Sequence, residues 1–309
     1  RQGYPSPILQ GEPVGTVYGS AEEPTDPGTG GGSTGGGVSV AKGSPLYTGG
    51  GAIRLDFTGA VEINGSVTAN AKGGSSWMNG GTGGSVWITC KTISGSGKVT
   101  ADAQAKDAQG CISGTSSGGR VAVHYDVGEQ KGVVSRVRLS ANGGLVSAAS
   151  TQTPSEPGTV WMPDTQLLVS PLLHNGQFVF PATNAWAADS LEVEGRVWWP
   201  ADFDLRVAGD LAVVSSNVYC KGMRFSGGKL TVGGDVTVAG ATLHLVRGCE
   251  TVIGGDLIQT NTARSCEKTT IKFGRVYLQA NPTNGVGGVP FGQTVRIGGT
   301  WSVASNSIC

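Results

Sequence analysis

The sequence predicts an all-β protein, a β-solenoid (a parallel β-helix-like stack) in two consecutive β modules. Three features predict it. Glycine supplies 53 of the 309 residues, and it punctuates short runs of Val, Ile, Leu and Trp that alternate with polar residues, the pattern of strands separated by turns. Two families of such runs recur along the chain, as repeat architectures require. No long segment keeps apolar residues at i, i+3, i+4 and i+7, so no amphipathic helix is expected. The alternative architecture is a set of β-sandwich domains, whose strands recur every 8–12 residues or so.

Residues 1–46 fit neither repeat and form an extended N-terminal segment with a Gly-rich tether. Ile8 and Leu9, then Val14, Val17 and Tyr18, lie in extended runs, followed by the acidic turn Glu22 to Pro27 and the glycine run Gly30 to Gly37. A flexible tail is one reading. The other is a strand donated to the edge of a neighbouring subunit, because an open solenoid end is an unsatisfied template.

Residues 47–165 form a Gly-rich β-repeat module. A glycine pair or Pro-Gly launches a strand four times: GGAIRLDF from Gly50, GGSVWITC from Gly83, GGRVAVHY from Gly118 and PGTVWM from Pro157, spaced by 33, 35 and 39 residues. Between them runs a second strand type, VEINGSVTAN from Val61, ISGSGKVTAD from Ile93 and the degenerate VSRVRLSAN from Val134.

Residues 166–309 form a second solenoid module with VxGD-type repeats. The copies centre on Gly195, Gly209, Gly234 and Gly255, with weaker ones at Gly274 and Gly299, at spacings of 14, 25, 21, 19 and 25 residues. A period near 20 residues suits one coil. Stacking coils about 4.8 Å apart closes the backbone hydrogen bonds along the axis, and glycine serves the corners where a Cβ has no room.

These units carry a resemblance. The alternation of GGSVWITC-like and SGSGKVTADA-like strands, closing on GGRVAVHY, resembles Gly-rich repeats of large exported proteins of planctomycete- and verrucomicrobia-type bacteria. The VGGDVTV unit is similar to β-helical adhesin and autotransporter-passenger repeats. The resemblance spans about residues 47–305. It implies a cell-surface or extracellular structural role and carries over no catalytic residue.

Composition narrows the partners. Lys plus Arg and Asp plus Glu both number 22, for a formal net charge of +0, and no basic stripe suited to nucleic acid occurs. No apolar run approaches the roughly 20 residues of a membrane helix. A start at Arg1-Gln2-Gly3 reads as a processed, exported chain. The expected partners are copies of the same chain, with neutral glycans as the other candidate.

Six cysteines, Cys90, Cys111, Cys220, Cys249, Cys266 and Cys309, form neither CxxC nor Cys/His clusters. Their even number favours disulfides in an oxidising compartment over a zinc site. Repeat spacing suggests Cys249 with Cys266 and Cys90 with Cys111, leaving Cys220 with Cys309.

No catalytic, metal or cofactor site is expected. Glu192 and Glu194 share a strand face near Asp202 and Asp204, an arrangement typical of a solvated edge rather than of flanking glycosidase carboxylates. Asp210 and the equivalent Asp235 and Asp256 could hold Ca²⁺ as a column, but aspartate beside a turn glycine more often caps backbone N–H groups. His124, His174 and His244 stand apart from any nucleophile motif. Alternation places Trp87 and Trp161 on the outer face of equivalent strands, either as a sugar-stacking platform or covered by another chain or segment. Trp198 and Trp199 must face opposite ways, so at least one is covered. The function expected is that of a non-enzymatic extracellular structural subunit, assembling into a filament, sheath or appendage. The alternative is a carbohydrate-binding or carbohydrate-cleaving β-helix.

Overall fold

A computed structural model describes residues 19–30, 48–72, 81–103, 116–144, 155–214, 222–225, 228–246, 249–260, 270–273, 276–279, 295–297 and 300–303. The regular secondary structure of the described residues is almost all β, in sheets whose strands run parallel with one antiparallel exception. The chain divides into two units, one of Arg1–Leu167 with Asn175–Val179, the other of Leu168–His174 with Phe180–Cys309.

Unit 1 contains β1 (Ala52–Asp56), β2 (Ala60–Glu62), β3 (Ser66–Thr68), β4 (Ser85–Thr89), β5 (Thr92–Ser94), β6 (Lys98–Thr100), β7 (Arg120–His124), β8 (Arg138–Ser140), β9 (Thr159–Trp161) and β10 (Gly176–Val179). The four Gly-launched strands stack in one sheet in the order β1-β4-β7-β9, with β10 beyond β9. Ile53, Val86, Val121, Val160 and Phe178 fall in one register row. The second strand type is two short strands either side of a bend. β2 pairs with β5, and β3 with β6 and then β8.

Each repeat therefore lays its strands parallel to the equivalent strands of the repeat before it. The inward row is apolar because each strand alternates: Val86, Ile88, Ile93, Val99, Val121, Val123 and Leu139 are wholly buried. This parallel stacking excludes the antiparallel β-sandwich alternative.

The third repeat of unit 1 holds one short departure from strand. A single-turn helix α1 (Val127–Gln130), N-capped by Asp126, stands where a partner for β5 would lie. Gln130 is fully buried; its Oε1 accepts the Ile93 N–H at 2.8 Å and its Nε2 donates to the Ile93 carbonyl at 3.1 Å. The side-chain amide thus pairs as a neighbouring strand's backbone would, satisfying the buried Ile93 N–H and carbonyl.

The glycine pairs have a steric cause. Gly84, Gly119 and Gly158 donate their N–H to the carbonyls of Ala69, Ala101 and Ala141 at 2.9, 2.8 and 2.7 Å. A Cβ on Gly83 or Gly118 would collide with the Ala101 or Ala141 carbonyl oxygen. Backbone passes backbone too closely there for any side chain.

Unit 2 contains β11 (Ala185–Ala188), β12 (Leu191–Val193), β13 (Arg196–Trp198), β14 (Asp204–Val207), β15 (Leu211–Val214), β16 (Gly222–Phe225), β17 (Lys229–Val232), β18 (Val236–Ala239), β19 (Thr242–Leu245), β20 (Glu250–Ile253), β21 (Leu257–Thr260), β22 (Thr270–Phe273), β23 (Val276–Gln279), β24 (Val295–Ile297) and β25 (Trp301–Val303). They distribute in turn over three sheets, β11-β14-β17-β20-β24, β12-β15-β18-β21-β25 and β13-β16-β19-β22, with β23 antiparallel on β22.

This register corrects two of the expected repeat copies. Leu191 pairs with Leu211, not with Leu205, and Arg196 pairs with Gly222. Gly195 therefore links the second and third sheets, whereas Gly209, Gly234 and Gly255 link the first and second. Gly274 likewise follows β22 of the third sheet. The sequence motif misled because both kinds of corner use Val-x-Gly before a strand. The strands flanking Gly299 do pair as a copy, Thr251 with Val295 and Leu257 with Trp301.

Candidate functional site

Two arrangements gather the polar and aromatic side chains: ladders of Asp and Asn at the corners, and an aromatic patch on the outer face of unit 1.

In unit 2, Asp210 Oδ1 accepts the Asp235 N–H at 2.8 Å, Asp235 Oδ1 accepts that of Asp256 at 2.8 Å, and Asp256 Oδ1 accepts that of Thr300 at 2.6 Å. The expected aspartate column thus forms, and each carboxylate accepts a backbone N–H, as the capping reading requires, but from the corresponding corner 21 to 44 residues further on rather than from its own turn. Among the described residues, no group of three or more His, Cys, Asp or Glu is placed to hold a metal ion. The preceding glycine is fixed by the same contact: a Cβ on Gly234 or Gly255 would run into Asp210 Oδ1 or Asp235 Oδ1.

Unit 1 repeats the device with a (Ser/Thr)-Ala-(Asn/Asp) corner that the sequence reading passed over. Asn70 Oδ1 accepts the Asp102 N–H and Asp102 Oδ1 the Asn142 N–H, both at 2.7 Å. Ser140 Oγ also donates to Asp102 Oδ1 and accepts from Asn175 Nδ2. Burial pushes the Asp102 carboxyl above its ordinary range, while the Ser140 and Asn142 hydrogen bonds and nearby Arg138 and Lys98 pull the other way. The signal was legible as TAN, TAD and SAN at equivalent repeat positions.

On the outer face, Arg54, Trp87, Ala122, Trp161 and Val179 form one register row. Ala122 is small, and His124 from the same strand stacks on Trp161 at 4.1 Å and tilts against Trp87 at 5.8 Å. The Arg54 guanidinium lies 3.9 Å over the Trp87 ring. Trp87 and Trp161 do point outward, opposite Val86, Ile88 and Val160, yet both are buried.

Residues 19–30 cross this face as a strap. Glu22 O is 2.7 Å from His124 Nε2, Asp26 O accepts the Ser85 hydroxyl, the Gly28 N–H donates to Gly50 O at 2.8 Å, and Thr29 and Thr82 bond reciprocally. Ser20 Oγ caps the Glu22 and Glu23 N–H groups, and Pro24 is buried. The strap belongs to the same chain. The expected interface residues Ile8, Leu9, Val14, Val17 and Tyr18 lie outside the described residues.

In unit 2, Trp199 is buried in an aromatic cluster with Trp186, Phe203 and Phe225 at centroid distances of 6.0, 5.1 and 6.2 Å. Trp198 faces the other way, half-buried, with Arg224 4.3 Å over its ring. Glu192 and Asp204 lie on strands of different sheets, β12 and β14. Glu194 falls beyond β12, and Asp202 sits in a left-handed turn at φ 57°. The expected strand face shared by Glu192 and Glu194 does not form, because β12 ends at Val193.

Cys90 and Cys249 are buried free thiols. Cys90 Sγ lies 3.7 Å from the His124 carbonyl, and burial pushes its pKa up to about 11; burial raises that of Cys249 as well. Cys111, Cys220, Cys266 and Cys309 lie outside the described residues. The spacing argument for Cys249 with Cys266 fails on register, because β20 after Cys249 and β22 after Cys266 belong to different sheets.

No protein-family model, curated protein or solved structure matches the chain.

Proposed function

We propose that the chain is a parallel β-solenoid acting as an extracellular structural subunit, which assembles with copies of itself into a filament, sheath or surface appendage. The observation that carries this reading is the coil-to-coil locking. Glycine contacts, Asp and Asn ladders and in-register apolar rows recur at equivalent positions, so the polar groups the sequence repeats are used to hold one coil on the next. A repeating stack with near-neutral, thinly charged composition suits close association with identical copies. Electron microscopy of the purified native material tests it: regular fibres are expected, and dispersed monomers that bind or cut glycans refute it.

A second reading has one observation in its favour. The Arg54–Trp87–His124–Trp161 patch has the make-up of a sugar-stacking platform, and Trp87 Nε1 is buried there without a hydrogen-bond partner. Binding of neutral polysaccharide that increases on removal of residues 1–30 would favour it.

A further inference from the structure

The first circuit of unit 1 differs from those above it. Among the described residues, β1 pairs only with β4. Its inward row, Ile53 and Leu55, is only partly buried, and Phe57 just beyond is 44% exposed; Val86, Ile88, Val121 and Val123 in the next two repeats are fully buried. Gly51 O accepts the Ser85 N–H and Phe57 N–H donates to Thr89 O. The odd-numbered residues of β1 therefore spend their peptide groups on β4, and Ala52, Arg54 and Asp56 present theirs to the open edge. An apolar, unpaired edge of this kind is a template for another strand.

The outer face of β1 carries one charge of each sign two residues apart, Arg54 and Asp56, whose side chains are 55% and 52% exposed and 2.8 Å from each other. That pattern is self-complementary. In an antiparallel pairing about a two-fold axis through Leu55, Arg54 meets Asp56 of the second copy and Asp56 meets its Arg54. Both are hydrogen-bonded pairs made from the peptide groups that point outward. Leu55 meets Leu55, and Ile53 meets Phe57, all on the apolar side. A one-residue slip would break both the charge match and the apolar match.

We infer that the β1 edge is a two-fold interface through which two copies of this chain join end to end, with Arg54–Asp56 pairs fixing the register. The contact extends the self-assembly reading by naming one joint. It stands separately from it, because a dimer without fibres would refute the filament while leaving this joint intact.

The test is charge exchange in the full chain, followed by sedimentation equilibrium at low salt. The wild type is expected to dimerise. R54D and D56R each place like charges opposite one another twice, and each is expected to weaken dimerisation at least about tenfold. The double exchange R54D/D56R restores opposite charges and is expected to return the wild-type affinity. Near-UV circular dichroism of each variant establishes that the fold is kept. Should a variant unfold, amide hydrogen exchange of the wild type gives the answer by itself: the Arg54 and Asp56 N–H groups must be protected more strongly as concentration rises. A wild type that stays monomeric, a dimer indifferent to the single exchanges, or a failure of the double exchange to rescue would overturn the inference.

Discussion

Gly234→Ala tests the coil-locking geometry most directly. A Cβ there would collide with Asp210 Oδ1, the atom that accepts the Asp235 N–H at 2.8 Å, and would come within 3.0 and 3.1 Å of Gly209 C and O. The new methyl must displace the carboxylate and with it the hydrogen bond. A hydrogen bond to a charged acceptor contributes about 1.5–3 kcal/mol, and this one is exposed, so the lower end of about 1.5 kcal/mol applies. The tight approach to Gly209 adds up to about 1 kcal/mol of strain, offset by a similar gain from restricting the unfolded chain. Gly234→Ala should therefore cost about 1.5 kcal/mol. Asp210→Ala loses the same bond and should cost about 1.5 kcal/mol.

The double variant cannot lose that bond twice, and its Cβ no longer meets a carboxylate. It should cost no more than the worse single change, giving a coupling of at least about 1 kcal/mol in a double-mutant cycle. Urea denaturation of the four proteins, with m held common, supplies the numbers. Additive costs would refute the claim that the glycine exists to make room for Asp210 of the preceding repeat.

Asp102→Asn keeps an acceptor for Ser140 and Asn142 while removing a charge whose burial raises its folded pKa. A raised acid pKa contributes stability below the unfolded value that is lost as pH rises through the folded one. The wild type should thus lose stability relative to Asp102→Asn as pH rises above about 4, the ordinary carboxylate range, as thermal melts at increasing pH would show. Phe203→Ala empties a fully buried site between Trp199 and Phe180 and should cost about 3–5 kcal/mol in chemical denaturation. Cys90, with its pKa pushed up to about 11, should resist Ellman's reagent at pH 8 in the native protein and react once the chain unfolds. His124→Ala combined with Ser85→Ala removes two anchors of the strap. Iodide should then quench tryptophan emission that it does not reach in the wild type.

The sequence by itself determined the all-β class and the glycine-marked strands. Residue alternation is local, and Val86-Trp87-Ile88 states its two faces without help from any neighbour. It also determined the register of the N-terminal strands, since the spacing from Gly51 to Gly84, Gly119 and Gly158 is the length of each circuit. Tertiary structure alone decided which Val-x-Gly corners are equivalent. Leu191 reads like Leu205 but pairs with Leu211, because pairing depends on how far the chain has travelled round the circuit. It decided too that Gln130 completes the edge of β5 and that residues 19–30 bond to Ser85 and His124 on the face that carries Trp87 and Trp161. Those outcomes rest on hydrogen bonds between residues 37 and 102 positions apart. Partners that distant leave no trace in local periodicity, since the pattern records which face a side chain takes and not what comes to cover it.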